Sequence, residues 1–290
     1  GFDSVWVGDH VVAPQRVETP YPYGGARSFP HAWNHEVYDP LVLLSALAQV
    51  TTRVDLGSAV LVAPYRHPLI TAKMLATADR LSGGRIIYGA GAGWLEEEFR
   101  ALGLSPRYYR ERGAVTDDYL RAVKEAWLNT GPSRYAGEYV RFSDVGTFPH
   151  PLQTPHIRIW AGGRGPRALR RVVRLCQGYI GFALDPEALH REVSELRRLA
   201  ERDRRDPDEI TVALATNMVV NAAPAGSDAP PLGGTPEQIV AGLDRYHDAG
   251  LQHLIVDVRG EADASLPATL AALETVAARV LPAARGMVAA

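Results

Sequence analysis

The sequence predicts an α/β fold on a parallel sheet, in its closed (β/α)8 form. Strand-like and helix-like segments alternate from end to end, the signature of parallel strands joined by helices. The chain's 290 residues contain no linker that suggests a second domain, and about seven strand segments can be counted where the closed barrel needs eight. An apolar content of 46% and a formal charge of −2 suit one large domain with a full core and argue against a general nucleic-acid binder. One cysteine, Cys176, excludes an internal disulfide and fits a reducing cytosol, so a cytoplasmic location is expected. No signal peptide is visible, no run reads as long and apolar enough to span a membrane, and no membrane partner is expected.

Taken in order, GFDSVWVGDH opens abruptly, and Ser4–Gly8 reads as a strand ending at Asp9-His10. Residues 11–37 are a long loop rich in Pro, Tyr, Gly and His. A structureless stretch this long is usually functional or disordered. Its aromatics, Tyr21, Tyr23, Phe29 and Trp33, favour a lid over a ligand; a mobile surface loop is the plainer alternative. Asp39 caps a helix to Val50, with Pro40 at its first position. Val54–Val62 is apolar and β-branched, right for a strand buried on both faces. Pro64 and Pro68 bracket a loop, and Leu69–Leu81 carries apolar residues at helical spacing until Ser82-Gly83-Gly84 ends it. Arg85–Tyr88 is the next strand. Gly89, Gly91 and Gly93 then alternate, so a ligand or another backbone can come close. Glu96–Glu98 begin a helix where carboxylates suit its dipole.

Residues 101–112 look irregular, and Glu111–Leu128 is a helix. Arg134–Phe148 alternates around Ala136-Gly137-Glu138, a hairpin outside the barrel. Ile157–Trp160 is a strand, followed by Ala161-Gly162-Gly163 and a helix through Cys176. After the short strand Gly178–Phe182, Asp185 caps the helix Pro186–Arg204, and Glu209–Val220 is again a strand. Residues 221–234 form a Pro/Gly/Ala loop, and Thr235 caps Pro236–Ala249, which Gly250 ends. His253–Val258 is the last strand and Leu266–Leu281 the closing helix. One domain, 1–290, results, with insertions at about 11–37, 101–112, 134–155 and 221–234.

Active sites in such barrels sit at the C-terminal ends of the strands. Asp9-His10 lies at one, and a histidine can move protons near neutral pH; a pair that merely packs on the next loop is the bland alternative. Gly162-Gly163 opens a helix whose free N–H groups suit a phosphate, with Arg167 close behind. Arg167, Arg170, Arg171 and Arg174 fall at helical spacing as one basic stripe, which is usually a solvated face. Cys176 reads as a core thiol and His67 as a contact at a helix start. No metal site is expected, because no strand carries His-x-His and the histidines are scattered. GAGAG alone is a weak signal, lacking the spacing and the acidic residue of the dinucleotide fingerprint.

The longer stretch is more specific. LGSAVLVAPYRHP, the helix ending in LSGGR, and GAGAGWLEEEF resemble the bacterial luciferase-like family of TIM-barrel flavin and deazaflavin oxidoreductases, nearest to the subgroup dependent on coenzyme F420. The likeness covers essentially the whole chain. It implies that Ser4–Gly8 is the family's second barrel strand, with the first strand and helix missing from this sequence or the gap closed another way. It implies Asp9 beside the cofactor ring and His10 near the reacting carbon, both catalytic, with His10 also contacting substrate. Ala59-Val60 matches the family's non-prolyl cis peptide behind the ring. Val62 falls at a cofactor contact that is polar in relatives, and Ala92, Gly93 and Glu97 match the cofactor-contacting turn. Gly162, Gly163 and Arg167 match the phosphate site. The basic stripe could also meet the deazaflavin's polyglutamate tail. Trp94 replaces a relative's acidic proton donor, which argues against sugar-phosphate oxidation; Trp94 and Trp33 are expected against the substrate. Gln177-Gly178-Tyr179 departs from the family pattern.

The implied function is hydride transfer between F420 and an organic small molecule. An FMN-dependent monooxygenase fed by a separate flavin reductase shares the fold and motifs. A barrel that binds a flavin-like ligand without turning it over is the rival of another class, and a metal-dependent hydrolase is more distant. Relatives imply a homodimer, formed by the helices next to the early strands.

Overall fold

The computed structural model describes residues 1–23, 34, 36–226, 229–260 and 265–289. Trp33 lies outside them. The chain divides into two compact units, Asp3–Tyr179 and Ile180–Ala290 with Gly1–Phe2.

In the larger unit, β1 (Ser4–Val7) leads through the long loop to α1 (Pro40–Val50). Asp39 caps α1 by accepting from the N–H groups of Leu41 and Val42. The expected continuous strand over 54–62 is two pieces, β2 (Asp55–Ser58) and β3 (Leu61–Val62), and the Ala59–Val60 peptide between them is cis. A single turn over Ala63–Tyr65 leads to α2 (Pro68–Ser82), with His67 at its N-cap and Gly83 closing it at φ +70°. β4 (Ile86–Gly91) runs three residues beyond the expected end. Its glycines are used internally: a Cβ on Gly91 would overlap the Val60 side chain, and one on Gly93, at φ +78°, would crowd Val62 and Phe99.

After α3 (Glu96–Ala101), the region expected to be irregular holds one short helix, α4 (Pro106–Arg110), capped by Ser105. α5 (Arg112–Leu128) then packs against α2. The hairpin β5 (Ser133–Ala136) and β6 (Arg141–Val145) is antiparallel. It is tied to α5 by buried Asp118, which accepts from the Tyr135 hydroxyl and the Tyr139 and Val140 amides. β7 (Arg158–Gly162) and α6 (Gly165–Leu175) complete the unit, and β8 (Gly178–Phe182) runs across its boundary.

The sheet order in this unit is β1-β2-β4-β7, all parallel, with β3 on the far end of β4. Its centre shows large-against-small packing. Trp6 pairs in register with Gly57, where a Cβ would enter the Trp6 ring, and Trp160 fills the space a Cβ on Gly178 would need. The two indoles lie 5.3 Å apart.

In the smaller unit, Asp185 caps α7 (Pro186–Arg202). β9 (Thr211–Val220) carries β10 (Gly233–Gly234) at its end. A capping box built by Thr235 and Gln238 starts α8 (Pro236–Asp248). β11 (His253–Gly260) pairs parallel with β9 from His253–Ala213 to Gly260–Val220. The helix expected to stop at Leu281 continues: α9 (Leu266–Thr275) passes through a π turn at Val276–Val280 into α10 (Leu281–Ala289). Proline lacks an N–H and its ring collides with the carbonyl four residues back; the wider π turn stands just where Pro282 would meet Ala278. This corrects the expectation about apolar runs. Leu266–Met287 is long and apolar enough, by length and composition alone, to cross a membrane.

Candidate active site

The strand ends of the larger unit gather the chemistry-bearing residues. β1 ends in Asp9-His10, and the two side chains go to different partners. Asp9 is buried and accepts two hydrogen bonds from Arg66, Nη1 at 2.7 Å and Nη2 at 2.9 Å, and one from the Val62 amide at 2.8 Å. Arg66 also reaches Asp39 at 2.8 Å. Burial pushes the Asp9 carboxyl up, against the lowering pull of Arg66 and the Val62 N–H. Arg66 is held above its ordinary value by the two carboxylates, which outweigh its own burial. Asp9 thus ties the end of β1 to β3 and the loop before α2.

His10 turns to Glu98 on α3, Nδ1 to Oε2 at 3.0 Å. Glu98 is fully enclosed while the His10 side chain keeps 22% of its surface exposed. Glu98 also accepts from the Tyr65 hydroxyl at 2.9 Å and from the amides of Val11 at 2.5 Å and Val12 at 3.2 Å. Burial, then the nearby Glu98 charge, pushes the Tyr65 hydroxyl far above its ordinary value, so it remains a donor. Glu98, Tyr65 and Arg66 were not expected from the sequence. A signal for Glu98 was present: Leu95 and Phe99, four apart, mark the buried face of α3, and Glu98 shares it.

Glu97, one residue earlier, faces the long loop. It accepts from the amides of Glu18 and Thr19 and from the Thr19 hydroxyl, at 2.7, 3.0 and 2.7 Å. The Val62 amide is taken by Asp9. Both residues were expected to contact a cofactor, and both have polar groups engaged within the protein. Ala59 and Val60 sit between β2 and β3, and Ala92-Gly93 at the end of β4. Trp94 meets Tyr21 edge to face at 5.2 Å; Tyr21 meets Tyr23 at 5.7 Å, and Arg164 lies over the Tyr23 ring at 5.4 Å. The described part of the loop therefore leans from the end of β4 to the turn after β7.

At that turn Gly163 has φ +141° and Gly165 φ +77°, and the side chain of the N-cap residue Arg164 makes no capping bond to α6. Arg167 is exposed on it. The basic stripe is divided. Arg171 is buried, paired with Asp117 and donating to the Gly113 carbonyl at 2.8 Å, so it fastens α6 to α5. Cys176 is buried. No group of three or more His, Cys, Asp or Glu able to hold a metal occurs among the described residues.

A model of the luciferase-like monooxygenase family matches residues 1–229. The chain belongs to that family. Among luciferase-like relatives, it is 30% identical over 214 residues to the F420-dependent glucose-6-phosphate dehydrogenase of Amycolatopsis mediterranei, covering 72% of this chain and 59% of that one. It is 28% identical over 200 residues to the FMNH2-dependent dimethylsulfone monooxygenase of Pseudomonas putida, covering 64% and 54%. The chain thus spans less than two thirds of the length of these curated relatives. The coenzyme F420-dependent tetrahydromethanopterin reductase of Methanopyrus kandleri superposes with a TM-score of 0.72 at 23% identity, over 97% of this chain and 91% of that one. The fold is accordingly the α/β barrel type of luciferase-like proteins, a family with both F420-dependent and FMN-dependent oxidoreductases. The exposed Arg167 on the first turn of α6 offers a positive charge where a helix N-terminus favours an anion.

Proposed function

We propose that the protein transfers a hydride between coenzyme F420 and an organic small molecule. The observation that carries this is the end of β1, where His10 is presented on the buried Glu98 carboxylate beside a fully paired Asp9. F420, when bound, would supply a two-electron hydride carrier in which a ring carbon replaces the flavin nitrogen, a substitution that largely removes oxygen chemistry. The chain's part is to bind, orient and manage a proton. His10 holds or releases that proton and contacts the substrate. Asp9, through Arg66 and the Val62 amide, fixes the strand end on which His10 stands. The backbone at Ala59-Val60 and Ala92-Gly93 borders the ring, and Gly162, Gly163 and Arg167 take the phosphate. Glu97 holds the loop whose Tyr21 meets Trp94 on the substrate side.

An FMN-dependent monooxygenase, supplied by a flavin reductase, is the second reading, supported by the Pseudomonas relative. The protein is further proposed to act as a homodimer, supported by the exposed Val42 and Val50 of α1 and Ile70 and Leu81 of α2.

Titrating purified, cofactor-free protein with F420 and with FMN tests the proposal. Tight binding of F420, weak binding of FMN and no oxygen uptake are expected. Preference for FMN with oxygen uptake would move the protein to the monooxygenase reading, and binding of neither would leave a barrel without redox function. In the F420-loaded enzyme, His10→Ala should lower kcat by roughly 100-fold and change the cofactor Kd little. Equal loss of both would make His10 a binding residue.

A further inference from the structure

We propose that Glu98 is the positioning residue for His10, fixing which ring nitrogen carries the proton. The inference builds on the reading of His10 as the proton-handling group. Four donors converge on the Glu98 carboxylate: Val11 and Val12 amides on Oε1, the Tyr65 hydroxyl and His10 Nδ1 on Oε2. An ionised carboxylate has about four acceptor positions and no donor. With Glu98 ionised, every partner must donate, so His10 bears its proton on Nδ1. Nε2 is then the nitrogen that gains and loses a proton.

The carboxylate cannot turn away to relax this. Two of its four bonds come from the backbone immediately after His10, so the strand end that presents the ring also orients its acceptor. Tyr65 is seated edge to face on Phe99 at 4.9 Å. Glu98 and Phe99 are both buried on the same short helix. The acceptor, the second donor and the histidine are thus fixed from three different elements. A neutral histidine in water prefers its proton on Nε2, so an Nδ1-protonated ring requires such a fixed acceptor.

The test is a long-range proton–nitrogen NMR correlation on 15N-labelled protein without cofactor, with His10 assigned by His10→Gln. Wild-type His10 in its neutral form should show a protonated Nδ1. In Glu98→Gln the amide oxygen should stay on the Val11 and Val12 N–H groups, turning the NH2 toward His10. Nδ1 must then accept, so the proton should move to Nε2. In the loaded enzyme, kcat should fall roughly 100-fold while KM and the cofactor Kd shift little. A wild-type ring protonated at Nε2 would overturn the proposal, even if Glu98→Gln failed to fold. So would a folded Glu98→Gln with unchanged tautomer and kcat. A protonated Nδ1 in a protein that neither binds nor turns over F420 would remove the proposed function and leave the hold of Glu98 on His10 standing.

Discussion

Glu97 and Glu98 are adjacent in a run of three carboxylates, yet α3 sends them to opposite tasks. Glu98 faces inward to His10, and Glu97 faces the loop that starts at Val11. Partial burial pushes the Glu97 carboxyl up, but the Thr19 hydroxyl and the Glu18 and Thr19 amides outweigh it. The group titrates below its usual 4.5. The sign follows from a folded value lower than the unfolded one. The contact is complete above about 4.5 and is lost as pH falls through the depressed value. The amide proton shifts of Glu18 and Thr19 should therefore titrate together in NMR with a midpoint under 4.5. Shifts that ignore pH, or a midpoint at or above that value, would show that Glu97 does not hold the loop. The family resemblance pointed to this turn and chose Glu97 for the cofactor. It could not tell the two neighbours apart, because their difference is which side of one helical turn is buried. Asp9 and His10 were legible from their place at a strand end, whereas Arg66 and Tyr65, which fix the strand end and seat Glu98, come from a loop with no periodicity to interpret.

At the scale of elements, local chemistry explains most of what was legible. Asp39, Asp185 and Thr235 each cap the helix predicted from them, and Gly83 closes α2. Caps are contacts between near neighbours, so a sequence displays them. The misses are long-range or depend on backbone geometry: the division of 54–62 into β2 and β3, and the passage of the last helix through Pro282. The packing of β1 on β2 is also invisible locally, since Trp6 and Gly57 are far apart in the chain. Gly57→Ala forces a methyl into the Trp6 ring. Because Trp6 lies against Trp160, it has little room to withdraw. Overpacking of this kind costs about 1–3 kcal/mol. Urea unfolding of Gly57→Ala, followed by tryptophan fluorescence, should show a midpoint lowered to match. An unchanged midpoint would mean that the indole pair yields freely.

At the scale of the whole molecule, α1 and α2 leave large apolar residues exposed. Val42, Val50, Ile70 and Leu81 are each at least half exposed, and α1 packs directly on α2, so they share one side of the larger unit. Ile70 and Leu81 are eleven residues apart, about three full helical turns, and so align along α2. A stable interface needs about 800 Å² from each partner with an apolar centre, and two helices side by side can supply such a face. The site at the end of β1 uses none of these residues. A charge placed here should therefore separate copies without disturbing His10 or Glu98. Wild-type protein should elute with the mass of a dimer in light-scattering chromatography, and Val42→Glu with Ile70→Glu should elute as a monomer that still binds its cofactor. A wild-type monomer at micromolar concentration, or a double variant that remains a dimer, would rule out this face as the interface.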